Sequence, residues 1–252
     1  KMGIAPESIV TVSIMPCTAK KFEAQRAELS EDSLADVDYV LTTRELARLI
    51  KRHGIDFSAL APTAYDSVLG ESSGAGRIFA ATGGVTEAAV RSLYYFATKR
   101  QPPADLLSWQ AVRGLTAIKE AQAEVPGVGT VRVAVVSGMA AARRVLEEVR
   151  RTGRSRWQFI EFMACPGGCL GGGGQPKSEF PADEAVRRKR MEALYAEDKG
   201  APRRMSHENA EVQTLYHAFY GAPLSERAEQ LLHTHFDDRS GRLFDRETQA
   251  KA

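Results

Sequence analysis

Three cysteines carry the chemistry this chain can do. Cys165 and Cys169 lie in one glycine-rich stretch, Phe162 to Gln175, and Cys17 stands far upstream near the start. Thiolates are soft ligands that select zinc, copper(I) or iron–sulfur clusters. The stretch around Cys165 packs six glycines into fourteen residues. Glycine has no side chain to bury and loses the most backbone entropy on folding. Such a run is poor core, but it lets backbone come close to something bulky, here something held through sulfur. A 4Fe–4S cubane usually takes four cysteines, and the chain supplies three. Zinc held by Cys165, Cys169, His233 and His235 is an alternative set, at a spacing that matches no standard zinc pattern. A cysteine nucleophile paired with one of the five histidines is another. The plain reading of each cysteine alone is a small buried hydrophobe.

Other motifs carry less. Gly171 to Ser178 looks like a phosphate loop, but Pro176 stands where the second glycine must be. Ala81-Thr-Gly-Gly-Val85 reads as a tight turn opening a helix, whose N-terminus suits an anion. No Gly-x-Ser-x-Gly elbow is present.

Four strands are expected to position the thiols. Ser8–Met15, Tyr39–Leu41, Val131–Val136 and Trp157–Met163 are β-branched or continuously apolar. Leu115 to Ala123 reads as irregular or a short strand. Helices are expected over Lys20–Leu29, Arg44–Lys51, Gly84–Lys99 and from Gly138 to Gly153. Thr42-x-x-Glu45 fits a capping box for the second, and Gly54 suits its C-terminal cap. Pro62 to Gly76 reads as a loop. After Gln175 three charged helices are expected, Ser178–Leu194 with Pro181 in its first turn, Glu208–Tyr220, and Ser225–His233 capped by Ser225. The last fifteen residues are polar.

Strands alternating with helices imply an α/β fold with a mostly parallel four-stranded sheet flanked by helices, followed by a helical C-terminal segment. The expected division is 1–176 and 177–252. Ligands in such sheets sit beyond the carboxyl ends of the strands. Cys17 follows the first strand and Cys165 and Cys169 follow the fourth, so a parallel sheet would put all three thiols at one edge.

Composition sets outer limits. The chain has 252 residues, 43% hydrophobic and 26% charged, with a formal charge of +2. That balance gives no argument for nucleic-acid binding. No apolar run reaches the eighteen or so residues of a membrane span, and Lys1 to Val12 lacks the apolar run of a signal peptide. Few cysteines, in odd number, favour metal ligation or a reducing compartment over a disulfide scaffold. A cytoplasmic location is expected, or a periplasmic one if a leader precedes Lys1.

Two of these motifs resemble signatures of a known family. Ser13-Ile-Met-Pro-Cys-Thr-Ala-Lys-Lys-Phe-Glu23 and Glu161-Phe-Met-Ala-Cys-Pro-Gly-Gly-Cys-Leu-Gly-Gly-Gly-Gly-Gln-Pro176 are similar to two of the three motifs of iron-only (FeFe) hydrogenases. Leu41–Ala47, Ala81–Ala89 and Leu231–His235 resemble that family too. The resemblance implies one lobe of a two-lobed catalytic domain that interconverts hydrogen with protons and electrons, a ferredoxin-type hydrogenase. It implies a 4Fe–4S cubane joined to a diiron centre with CO, CN and dithiolate ligands, together the H-cluster. Cys17 and Cys165 would be cubane ligands and Cys169 the bridging thiolate. Lys20 would donate a charge-assisted hydrogen bond to a cyanide, and Met15 and Met163 would cover the diiron unit. The family's Thr-Ser-Cys-Cys-Pro motif has no counterpart here. The expectation is therefore a C-terminal part that needs its N-terminal remainder and is inactive alone. Ferredoxin or a similar carrier is the expected electron partner, steered by Arg143-Arg144, Arg150-Arg151 and Arg187–Arg190. A hydrogenase-like iron–sulfur protein, for cluster assembly or hydrogen sensing, is the alternative.

Overall fold

In a computed structural model the chain is described over residues 3–177 and 183–238. β1 (Val12–Met15) leads through the short α1 (Lys20–Glu23) and a two-residue hairpin, β2 (Ser30–Glu31) and β3 (Leu34–Ala35), to β4 (Tyr39–Thr42). β1 and β4 pair in parallel, Val12 opposite Tyr39 and Met15 opposite Thr42. α2 (Thr43–Arg52) follows at once. The Thr42 side chain accepts from the Glu45 amide, and the Glu45 carboxylate accepts from the Thr42 amide. This is the expected capping box, and Gly54 follows with φ 64°.

α3 (Gly74–Ile78) and α4 (Gly84–Thr98) come next, joined by the turn that contains Gly83 at φ 95°. After α5 (Ala104–Leu107), β5 (Ile118–Val125) and β6 (Gly129–Ser137) form an antiparallel hairpin. α6 (Met139–Thr152) returns the chain to β7 (Phe159–Met163), parallel to β6. Then come α7 (Asp183–Gly200), α8 (Ala210–Leu215) with a wider turn Tyr216–Tyr220, and α9 (Glu226–Leu232).

The four-stranded parallel sheet is not what forms. Among the described residues there is a mixed three-stranded sheet, β5-β6-β7, and a separate parallel pair, β1-β4. The region read as irregular or a short strand, Leu115 to Ala123, supplies most of β5. Its inward residues Lys119, Ala121, Ala123 and Val125 alternate with Glu120, Gln122 and Glu124, and that polar face masks the strand in sequence. The first strand is shorter than Ser8–Met15, because Pro6–Ser8 is a 3₁₀ turn and only Val12–Met15 meets a partner. Lys20–Leu29 likewise breaks into one helical turn and a 3₁₀ turn at Ala27–Leu29. The Pro62–Gly76 loop gives way to helix at Gly74. The expected helix start at Ser178 and the role of Pro181 lie outside the described residues, as does nearly all of the polar tail.

β6 is the axis of the core. Val133 and Val135 pack with Val90, Trp109 and Val112 beneath α4. Ala134 and Val136 pack with Ala142, Val145 and Trp157 beneath α6. Burying each such valine contributes roughly 1.5–3 kcal/mol. β1-β4 lacks such cover: Val12 is 50% exposed and Tyr39 62%. The C-terminal helices attach to the larger body. Met191 of α7 packs on Ala81 and Leu170, and Asp198 reaches a fully buried Arg91 on α4 with two bonds of 2.8 Å.

Candidate cysteine-ligated cluster site

Cys17 follows β1 after Pro16, and Cys165 and Cys169 follow β7. The two strands belong to different sheets, so a shared sheet edge does not bring the thiols together. The glycine run does. Gly174 N–H donates to Pro16 C=O at 2.9 Å, and Arg44 N–H at the start of α2 donates to Gly174 C=O at 3.2 Å. The Arg44 guanidinium donates to Gly173 C=O at 2.9 Å. The cysteine loop is thereby stitched to the β1-β4 unit.

The glycines are needed for that stitching. A methyl on Gly174 would stand 2.9 Å from the Pro16 carbonyl carbon and from Thr42 Cβ. One on Gly172 would run into the Pro16 oxygen, and one on Gly168 would stand 2.7 Å from Thr82 N. Gly168 also has φ 94°, a left-handed conformation that favours glycine. Gly168, Gly172 and Gly174 therefore let these segments pack closely on one another, a role beside the expected approach to a bound group.

The other side of the loop is fixed from below. Ser137 Oγ donates to Cys165 C=O at 3.3 Å and accepts from Gly167 N–H at 2.7 Å. Thr82 N–H donates to Gly167 C=O and Leu170 N–H to Ala80 C=O, both at 3.0 Å. The turn that supplies these contacts is itself held by buried Glu161, which accepts from Gly83 N–H at 2.6 Å and Thr86 N–H at 2.8 Å. Buried Lys119 donates to Gly114 C=O at 2.8 Å and to Thr82 C=O at 3.3 Å. Sequence reasoning singled out neither Glu161 nor Lys119. The usable signal was a charged residue inside an apolar strand, since a lone buried charge must be satisfied by the fold.

Cys169 senses both other thiols. Burial pushes the Cys169 thiol up, Cys17 and Cys165 push it further, and the Lys20 ammonium opposes them. Lys20 forms an ion pair with Glu23 at 2.7 Å. Met15 and Lys20 share the lining of a cavity of about 270 Å³ with Val37 and Val40. Met163 is half-buried on β7, its carbonyl accepting from Gly138 N–H at 2.8 Å.

This donor set suits a polynuclear group better than a single ion. Around one tetrahedral zinc with bonds of about 2.3 Å, thiolate sulfurs lie roughly 3.8 Å apart. Among the described residues, no three His, Cys, Asp or Glu side chains converge to hold one ion. His233 is instead 2.9 Å from Glu229, so the zinc set with His233 and His235 finds no support. A cubane presents each thiolate at its own corner iron and tolerates wider spacing. A Cys169 thiol made harder to ionise by burial and by its two neighbours gains from positive charge beside it. The residues thus fit an iron–sulfur cluster in chemistry and fall one thiolate short of four.

The family pattern described as iron only hydrogenase large subunit, C-terminal domain, matches residues 1–173. The pattern described as iron hydrogenase small subunit matches residues 184–239. The chain belongs to the iron-only hydrogenase family. It is 46% identical over 238 residues to the NADP-reducing hydrogenase subunit HndD of Solidesulfovibrio fructosivorans, covering 94% of this chain and 40% of that protein. It is 42% identical over 233 residues to iron hydrogenase 1 of Clostridium pasteurianum, covering 92% and 40%. Among solved structures it is similar to a variant of FeFe-hydrogenase HydA1 from Chlamydomonas reinhardtii. That match has a TM-score of 0.73 and 36% identity over 93% of this chain and 64% of that one. The chain thus spans two fifths of the length of both of these hydrogenase relatives. No described helix is long and apolar enough to cross a membrane.

Proposed function

We propose that this chain forms the thiolate-bearing part of an iron-only hydrogenase catalytic domain and acts in reversible hydrogen oxidation together with an N-terminal remainder. The observation that carries the reading is the Gly174–Pro16 hydrogen bond, which joins the loop of Cys165 and Cys169 to the loop of Cys17. Cys17 and Cys165 would hold a 4Fe–4S cubane, and Cys169 would hold it and bridge to a diiron centre. When bound, that group supplies the exchange of electrons and protons with hydrogen. The chain's own residues have simpler tasks. The soft thiolates hold iron. Met15 and Met163 give polarizable apolar cover that excludes water. Lys20, paired with Glu23 in this structure, would donate a charge-assisted hydrogen bond to a cyanide of that group. Segments 1–176 and 177–252 act as one unit, with α7 closing over Leu170: Arg190 donates to the Leu170 carbonyl at 2.8 Å.

An acidic electron carrier of the ferredoxin kind would dock against the arginines of α6, which starts at Gly138 beside the cysteine loop. Reconstitution of the protein with its N-terminal remainder tests the whole reading. Infrared bands from bound carbon monoxide and cyanide, with hydrogen turnover, are expected. A cubane without those bands would assign it to the cluster-assembly class instead, and bands with negligible turnover to a sensor. Electron transfer from the carrier should weaken steeply with salt, and a flat salt profile removes the α6 docking.

A further inference from the structure

Behind the cysteine loop lies a buried pair of opposite charges that the proposed reaction leaves unused. Lys119 and Glu161 come from the two strands that flank β6, β5 and β7, and are 8% and 4% exposed. Burial pushes the Lys119 ammonium down to about 8, and Glu161 opposes that by favouring its charged form. Both grip the same turn from opposite ends. Glu161 accepts from the amides of Gly83 and Thr86 and from Thr86 Oγ1 at 2.9 Å. Lys119 donates to Gly114 C=O at 2.8 Å, Thr82 C=O at 3.3 Å and Thr82 Oγ1 at 3.4 Å. None of the acceptors within hydrogen-bond reach of Lys119 is a carboxylate. On its outer side the same Thr82 donates its N–H to Gly167 C=O at 3.0 Å, between Cys165 and Cys169. The ammonium thus lies one residue behind the loop that carries two of the three thiols.

A buried ammonium is costly, and three neutral oxygens offset that only partly. An apolar residue would fill the same space without that cost, but would leave the Gly114 and Thr82 oxygens without this donor. A fixed positive charge in low dielectric acts at a distance on any nearby group that gains negative charge. We infer that Lys119 is a positioning residue for the cluster: it locks the Thr82 turn against the cysteine loop, and its charge makes the cluster easier to reduce. Glu161 opposes it electrostatically from the β7 side. The inference rests on the cluster reading above.

The test uses the full-length protein carrying its iron–sulfur cluster. Added dithionite gives one electron to the cubane, with no bond made or broken, and electron paramagnetic resonance follows the reduced signal against potential. Lys119→Met should move the midpoint to more negative potential with iron content retained, and Lys119→Arg should stay near the wild type. Glu161→Gln should move it the opposite way. That opposite shift serves as the readout if Lys119→Met does not fold. A midpoint that ignores both substitutions overturns the inference while leaving the cluster in place. A wild-type protein with no cubane signal overturns the cluster reading and the inference with it.

Discussion

The sharpest consequence of the site's construction concerns Gly174. Carbon–carbon contacts are comfortable at about 3.5–4.0 Å. The methyl of Gly174→Ala would stand 2.9 Å from the Pro16 carbonyl carbon and from Thr42 Cβ and Cγ2. Each contact is therefore short by about 0.6 Å or more. Thr42 is 3% exposed and held by its capping box with Glu45, so it does not swing aside. Relief must come from backbone movement, and overpacking of this kind costs about 1–3 kcal/mol. If the Gly174–Pro16 hydrogen bond breaks, roughly 1 kcal/mol more is lost. A total of about 2–4 kcal/mol corresponds to iron held on the order of a hundredfold more weakly, because the movement separates Cys17 from Cys165 and Cys169. The assay is iron and sulfide per chain after reconstitution against a competing chelator, with the urea midpoint of the metal-free protein alongside. Gly173→Ala is the internal control. Its methyl meets first Thr18 Oγ1 at 3.1 Å, the end of a side chain that can turn away. The reasoning fails if Gly174→Ala retains iron and its urea midpoint like the wild type, or if Gly173→Ala is as damaging.

Two further outcomes are expected. Thr42→Ala removes the α2 cap and should lower stability by about 1 kcal/mol, measured by urea denaturation. Its pH dependence has a definite sign. The Glu45 carboxyl is held down at about 2, first by the Thr42 amide and then by Lys21. That contribution is complete above about 4.5, the ordinary value, and fades as the pH falls towards 2. Glu45→Gln should flatten the dependence of the thermal midpoint on pH across that window, and an unchanged acid slope would remove Glu45 as its source. Asp198→Ala removes two of the bonds of buried Arg91 but leaves it Glu87, so a loss of about 1.5–3 kcal/mol is expected. A loss below about 1 kcal/mol in urea would mean that α7 is not anchored there.

Much of the local structure was legible. The Thr42–Glu45 box, the Gly83-Gly84 helix start, the buried β6 and the Ser225 cap of α9 all depend on residues within a turn or two of each other. β5 was hard to read because its outward face carries Glu120, Gln122 and Glu124. That polar alternation is what a strand with one wet face presents, but Lys119 on the buried side disguised it. The sheet was misread for a related reason. β1 and β7 are both apolar and both precede a cysteine, and apolar strands say nothing about which sheet they join.

The sequence by itself determined the chemistry: three soft thiols, two of them in one glycine-rich loop, and motifs that belong to iron-only hydrogenases. It also determined the need for glycine there, but not what the glycines approach. Only the tertiary structure decided that. Gly168, Gly172 and Gly174 face protein backbone at Thr82 and Pro16, and through those contacts two separate sheets meet at the cysteines. It also revealed Lys119 and Glu161 behind the loop. The physical reason is range. Caps and periodicity are set by neighbours along the chain. A hydrogen bond between Gly174 and Pro16 depends on two backbone groups whose side chains carry no mark of the partner.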